Sequence, residues 1–276
     1  MTSTSVLTVE ELRKEYPAPS RGAARVVAVD GVSFSVEEGE CVAIVGESGS
    51  GKTTVAKTVV GLEDPSSGRI SVAGAVRGRA PARHRDRVRW AAEAQYVFQD
   101  PYSSLNPRQR VGDVVGTSVG IHQPTLTAAA RRARTAALLD DVGLGDGFAD
   151  RYPHELSGGQ RQRIAIARAL AADPRLMILD EAVAALDVSI QAQILNLLAD
   201  IRASRPISYL FITHDLAVVN QIADRVLVME QGRIVEEGAT DAVLTAPAAA
   251  YTRTLIDAVP RPGWVPKRRE QLGVPT

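Results

Sequence analysis

Three short segments of the chain are apolar almost throughout: Cys41-Val-Ala-Ile-Val45, Leu176-Met-Ile-Leu179 and Tyr209-Leu-Phe-Ile-Thr213. Their length and their β-branched and aromatic content predict strands buried on both faces, the signature of a parallel sheet covered by helices. Between the second and third, Ile190, Ile194, Leu197, Leu198 and Ile201 recur at helical spacing, with Asp187 placed as an N-cap. Arg225 to Glu237 reads as a hairpin turning at Gln231-Gly232. Nearer the N-terminus, Val6 to Tyr16, Val26 to Val29 and Phe34 to Val36 read as strands separated by polar turns. The alternation of strand and helix predicts an α/β fold with a largely parallel sheet.

The pattern changes in the middle. From about Asp100 to Leu156 the buried-strand runs disappear, and Thr127 to Val142 is Ala-rich and helical in period. A helical lobe inserted into the α/β sheet is expected. Just upstream, Arg77, Arg79, Arg83, Arg85, Arg87 and Arg89 form a basic cluster. No row of aromatic residues accompanies them, so a solvated loop and helix face is expected there and no nucleic-acid partner. There is no internal repeat.

Composition narrows the class without naming a chemistry. The chain has 276 residues, with Lys plus Arg and Asp plus Glu balanced at 32 each. That balance favours neither nucleic acid nor an anionic membrane surface. No apolar stretch approaches the roughly 20 residues that cross a bilayer, and the N-terminus lacks the pattern of a secretory signal. Cys41 is the single cysteine, which excludes an internal disulfide framework and a Cys-rich metal cluster. Lying in an apolar run, it is expected to be a buried, inert thiol. A cytosolic globular protein fits all of this.

Three motifs supply the chemistry. Gly46-Glu-Ser-Gly-Ser-Gly51-Lys52-Thr53 matches G-x-x-x-x-G-K-[ST] and is followed by Thr54. A buried strand leads in and a helix-compatible segment, Thr53 to Val60, leads out. Gly46, Gly49 and Gly51 let the backbone curl so that N–H groups converge on phosphate oxygens, and the helix N-terminus adds its dipole. Lys52 can bridge β- and γ-phosphates, and Thr53 can complete a Mg²⁺ shell. Ser48, Ser50 and Thr54 belong to the same candidate nucleotide-binding loop. Next, Asp180-Glu181 ends the Leu176 strand, where open α/β sheets bind ligands. Asp180 is suited to hold Mg²⁺, and Glu181 to act on an attacking water as general base. These two motifs alone would equally fit a small-molecule kinase or another phosphate-loop enzyme.

The third, Leu156-Ser157-Gly158-Gly159-Gln160, decides between them. It directly precedes the strongly helical Arg161 to Ala171, so Ser157, Gly158, Gly159 and Gln160 lie at a second anion-binding helix end. One triphosphate does not need two such ends in one chain. A head-to-tail pair of chains does, each closing over the nucleotide held by the other.

With these motifs, the chain resembles the nucleotide-binding subunits of ATP-binding-cassette transporters over nearly its whole length. The order phosphate loop, Gln99, LSGGQ, Asp180-Glu181, Ala185-Leu186-Asp187 and His214 is similar to that family's full motif set. The resemblance implies a phosphate-loop NTPase core of RecA type, with an antiparallel β subdomain and an inserted α-helical subdomain. On that basis the core comprises residues 1–98 and 162–245, the helical subdomain 99–161 and a C-terminal extension 246–276. It also implies that Tyr16 stacks on adenine, that Gln99 touches Mg²⁺ and the attacking water, and that His214 contacts the γ-phosphate. ATP and Mg²⁺ are the implied cofactors.

Gln99-Asp-Pro-Tyr-Ser-Ser-Leu-Asn-Pro-Arg108, Arg151 to Arg163, Asp187 to Gln193 and the Tyr251 to Pro260 tail resemble one branch, the cassettes of peptide and nickel importers. That branch implies an ATPase powering import, of di- or oligopeptides first and of nickel or another small solute as the alternative. A soluble cassette ATPase acting on nucleic acid or ribosomes is the remote one. The implied partners are a second, related cassette, two transmembrane permease subunits and, indirectly, an extracytoplasmic binding protein. The implied location is the cytoplasmic face of a bacterial cell membrane. Three departures stand out. Ala182 and Ala184 replace the branch's usual proline and serine, which puts coupling between the two ATP sites in question. Ala249-Ala250 stands where His-Pro is usual. The cysteines of some members' tails are missing, so no iron–sulfur cluster is expected.

Overall fold

The computed structural model describes residues 5–17, 25–100 and 104–259. Two sheets organise it. The first is antiparallel, in the order β2-β1-β4-β5, from β1 (Ser5–Tyr16), β2 (Val26–Glu37), β4 (Ser67–Val72) and β5 (Ala75–Arg77). The second has six strands in the order β10-β9-β3-β8-β7-β6. These are β3 (Cys41–Val45), β6 (Ala94–Val97), β7 (Leu176–Asp180), β8 (Ser208–Ile212), β9 (Arg225–Glu230) and β10 (Arg233–Ala239). All neighbours in it pair parallel except β9 and β10, which form the expected hairpin. Gln231 and Gly232 turn that hairpin with φ of 47° and 84°, the positive pair that a two-residue type I′ turn requires.

The two N-terminal runs expected as separate strands, Val26 to Val29 and Phe34 to Val36, are one strand, β2. The polar Asp30-Gly31 interruption is absorbed by shifts in the β1–β2 register between Val9 and Glu15. Bulges of this kind bend a strand without ending it.

The period-2 alternation of the parallel strands divides the core in two. Val42 and Ile44 of β3, Leu176 and Ile178 of β7, and Leu210 and Ile212 of β8 face the antiparallel sheet. They share that core with Val55, Ala56 and Val59 of helix α1 (Lys52–Val60). The opposite parity, Cys41, Ala43, Val45, Met177, Leu179, Tyr209 and Phe211, packs against helices. Cys41 is fully buried, and burial pushes its thiol well above the ordinary value, as expected of an inert cysteine.

The helices after α1 are α2 (His84–Glu93), α3 (Val111–His122), α4 (Ala128–Asp141), α5 (Gly158–Leu170), α6 (Val188–Ser204), α7 (Leu216–Ile222), α8 (Thr240–Thr245) and α9 (Ala250–Asp257). Among the described residues, no strand lies between β6 and β7. Thr127 caps α4 by accepting from the Ala130 N–H at 3.2 Å. Asp187 stands at the N-cap of α6, but its side chain bonds no helix N–H. Its carbonyl alone starts the helix, accepting from Gln191 N–H at 2.8 Å.

One member of the expected solvated arginine cluster behaves otherwise. Arg77 is buried, pairs with Glu93 at 3.1 Å, donates to the Trp90 carbonyl and lies 5.0 Å from the Trp90 ring centre. A guanidinium can be buried there because a carboxylate and an aromatic face replace its water. Arg79, Arg83, Arg85, Arg87 and Arg89 are exposed.

Candidate active site

The site collects at the C-terminal ends of four adjacent parallel strands, where the fold places it. Gly46 to Gly51 follow β3, Gln99 follows β6, Asp180 and Glu181 end and follow β7, and His214 follows β8. The loop after β3 turns so tightly that a Cβ on Gly46 would lie 2.1 Å from the Met229 carbonyl oxygen. One on Gly51 would lie 2.3 Å from that of Ala28. Both positions therefore require glycine.

Within the loop, the Lys52 ammonium donates to the carbonyls of Gly46 at 2.8 Å and Glu47 at 2.7 Å, and to Ser50 Oγ at 3.4 Å. Lys52 is only 5% exposed. Burial pulls its pKa below the ordinary value, against the raising effects of Glu181, Asp180 and Glu47. The β9–β10 turn steadies the loop from outside, since Gly232 N–H donates to the Ser50 carbonyl at 2.9 Å. Ser48 and Gly49 are exposed at its tip, and Thr54 lies within α1.

Asp180 takes its place by parity. Leu176 and Ile178 face α1, so the next residue but one on β7 does too, and Thr53 Oγ1 donates to Asp180 Oδ1 at 3.1 Å. The Tyr96 hydroxyl donates to Asp180 Oδ2. Burial raises the Asp180 carboxyl above its ordinary pKa, and these two hydrogen bonds pull it back. The Tyr96 phenol is pushed well up, chiefly by burial, so it stays a donor.

Glu181 sits beyond the strand with φ 47°, in the left-handed region. That conformation costs a non-glycine residue on the order of 1 kcal/mol. Here it is held by the Glu181 N–H, which donates to the Ile212 carbonyl at 2.8 Å. The carboxylate receives Gln99 Nε2 at 2.8 Å on one oxygen and has His214 Nδ1 at 3.4 Å from the other. Gln99 and His214 are themselves exposed. Three residues far apart in the chain thus meet on one carboxylate.

Oxygen donors on Thr53 and Asp180 face one another, which suits Mg²⁺. Among the described residues no group of three or more His, Cys, Asp or Glu could hold an ion. Mg²⁺ commonly takes one or two protein ligands and completes its shell from phosphate and water.

Two groups of expected residues stand apart from this cluster. Tyr16 ends β1, paired with Val26, with the Lys14 ammonium 4.9 Å from its ring centre. Ser157 and Gln160 bond each other in a reciprocal cap of α5. Ser157 Oγ accepts from Gln160 N–H at 3.3 Å, and Gln160 Oε1 accepts from Ser157 N–H at 3.0 Å. A Cβ on Gly159 would lie 2.4 Å from Ile190 Cγ2, so this glycine lets α5 meet α6. A cavity of about 260 Å³ opens beside Ser157, Gly159, Gln160 and Arg163. Gly158 lies on the same turn, with Leu186 beside it. Of the substituted positions, Ala182 is buried and Ala184 exposed.

Two tyrosines go beyond the sequence expectations. A tyrosine inside a buried strand needs a partner for its hydroxyl, so the Ala94–Val97 run carried a signal for Tyr96. Tyr251 had none: its hydroxyl accepts from Glu47 N–H at 3.1 Å, across 204 positions.

A phosphate-loop NTPase fold with a lysine-filled loop, a strand-end Asp-Glu pair and a separate serine-capped glycine turn is the architecture of a transporter cassette. Residues 29–184 match the ABC transporter family, and the chain belongs to it. It is 47% identical over 277 residues to the probable peptide ABC transporter ATP-binding protein y4tS of Sinorhizobium fredii, covering 99% of this chain and 77% of that one. To the oligopeptide transport ATP-binding protein OppF of Bacillus subtilis it is 42% identical, covering 93% and 83%. Among solved structures, cbiO1 of Clostridium perfringens, part of the ABC transporter complex cbiONQ, superposes with a TM-score of 0.75 at 31% identity, covering 88% and 91%. The dimeric bacterial ABC transporter cassette MJ0796 gives a TM-score of 0.75 at 27% identity, covering 85% and 98%. This chain is an ATP-binding, ATP-hydrolysing subunit of the family. No helix among its described residues is long and apolar enough to cross a membrane.

Proposed function

We propose that this subunit powers the import of peptides, working at the cytoplasmic face of the cell membrane with a second, related cassette and two permease subunits. An extracytoplasmic binding protein would deliver the peptide. The observation that carries the import reading is a relative 48% identical over 93% of the chain that is named a putative peptide import ATP-binding protein, beside two relatives 47% and 42% identical that are named for peptide transport.

In the reading we favour, the loop from Gly46 to Thr54 cradles the ATP phosphates, and Tyr16 supports the adenine. Lys52 turns from the loop carbonyls to the β- and γ-phosphates. Thr53 and Asp180, with Gln99, would hold Mg²⁺, which would supply charge neutralisation on the phosphates. Glu181, oriented by Gln99 and His214, takes a proton from a water aimed at the γ-phosphorus. The new P–O bond forms as the bond to the β–γ bridging oxygen breaks, and ADP leaves with its charge met by Lys52. Ser157 to Gln160 would close on the nucleotide of the facing cassette. We take residues 1–98 with 162–245 and residues 99–161 as lobes that shift on this cycle, with 246–276 as the extension. The stroke passes through the segment from Gln99 to Arg110, of which residues 101–103 lie outside the described residues. The end of the tail, from Pro260, lies outside them too.

The test is to recover the chain from gently solubilised membranes and identify what accompanies it. Two permease subunits, a second cassette and a peptide-binding protein are the expected set. Recovery with nucleic acid or ribosomes would contradict the reading.

A further inference from the structure

The phosphate loop is gripped from an unexpected direction. The peptide unit joining Gly46 to Glu47 is bonded at both ends: its carbonyl accepts from Lys52 Nζ at 2.8 Å, and its N–H donates to Tyr251 Oη at 3.1 Å. A peptide held this way cannot rotate about its flanking bonds without losing both partners. Tyr251 therefore helps to fix the direction of the Gly46 carbonyl, one of the three groups to which the Lys52 ammonium donates.

Tyr251 is itself well anchored. It lies in the first turn of α9, whose Tyr251, Leu255 and Ile256 pack on the helix-side core. The start of that helix is pinned by Glu236 of β10, whose carboxylate oxygens accept from Ala248 N–H at 2.7 Å and Ala249 N–H at 3.0 Å. The turn between β9 and β10 is the one that holds the loop through Gly232 N–H and the Ser50 carbonyl. One hairpin thus grips the loop twice, directly at Ser50 and through α9 at Glu47. Burial pushes the Tyr251 phenol above its ordinary value, so it remains a neutral hydroxyl.

We propose that Tyr251 is a positioning residue for nucleotide binding, with α9 as a strut that preorganises the phosphate loop. The proposal rests on the reading that this loop binds ATP. Losing the hydroxyl frees the Gly46–Glu47 peptide to sample orientations that binding must then remove, and that weakens affinity.

The experiment uses the full-length chain and MgATP titrated calorimetrically, with amide hydrogen exchange at Glu47 and thermal unfolding measured alongside. Tyr251→Phe keeps the ring and removes the hydroxyl. It should weaken MgATP binding about two- to tenfold, the range one neutral hydrogen bond supports. Glu47 exchange should quicken with little change in melting temperature. Glu236→Ala, which unpins the helix, should shift both readouts the same way. Unchanged or tighter affinity in Tyr251→Phe would overturn the proposal. So would a weakening matched by a fall in melting temperature with Glu47 exchange unaltered, because that pattern belongs to packing. Lys52→Ala separates the two claims. If it leaves affinity unchanged, the loop is not the nucleotide site; if it abolishes binding while Tyr251→Phe does nothing, only the strut fails.

Discussion

The chain presents two glycine-rich helix starts, and they are built for opposite purposes. At Gly46 to Thr53 the loop is closed on its own lysine, tied to the β9–β10 turn and to α9, and faced by Asp180 across 3.1 Å. At Ser157 to Gln160 the serine and glutamine satisfy each other, and the glycine serves close packing against Ile190. The first is enclosed by groups from its own chain. The second is a capped helix end beside an open cavity, and among the described residues no carboxylate or lysine of the catalytic cluster bonds it. In the function proposed above, this second helix end closes on the nucleotide held by a facing cassette.

The largest effects are expected at the phosphate loop and the carboxylate that faces it. Glu181→Gln should slow ATP hydrolysis in the assembled transporter at least about 100-fold, the lower range for a lost general base. MgATP should stay bound, since the substitution keeps the side-chain volume. Turnover near wild type would remove Glu181 from that role. Lys52→Ala should weaken MgATP binding by about 100-fold or more, as expected for two lost charge-assisted hydrogen bonds of about 1.5 kcal/mol each. Calorimetry on the isolated chain reads this directly, and an unchanged affinity would count against the loop.

Changes at the second member should act differently. Gly159→Ala forces a methyl into Ile190 and should lower stability by about 1–3 kcal/mol. Ile190→Ala in the same chain should recover part of that in a denaturant melt; no recovery would place the strain elsewhere. Ser157→Ala removes a reciprocal cap and should cost about 1 kcal/mol. Binding of MgATP to the isolated chain should be untouched while transporter turnover falls. Loss of binding in the isolated chain would contradict the division between the two helix starts.

The same contrast explains what the sequence made legible. The buried strands at Cys41, Leu176 and Tyr209 showed because parallel strands covered on both faces leave unbroken apolar runs. The phosphate loop and Asp180 showed because their chemistry is local: a turn that only glycine permits, and a carboxylate at a strand end. Three features stayed hidden because they are made by distant partners. Arg77 is buried only because Glu93 and Trp90 fold over it. The continuity of β2 depends on bulges in its pairing with β1. The Tyr251 contact spans most of the chain and leaves no periodic trace.

Peptide uptake by the assembled transporter is the decisive measurement. With the proposed permease subunits, partner cassette and binding protein rebuilt in lipid vesicles, the wild-type complex should accumulate labelled peptide in an ATP-dependent manner. The Glu181→Gln transporter should bind ATP and accumulate almost none. Uptake that persists in that variant, or a wild-type complex that hydrolyses ATP without moving peptide, would contradict the account.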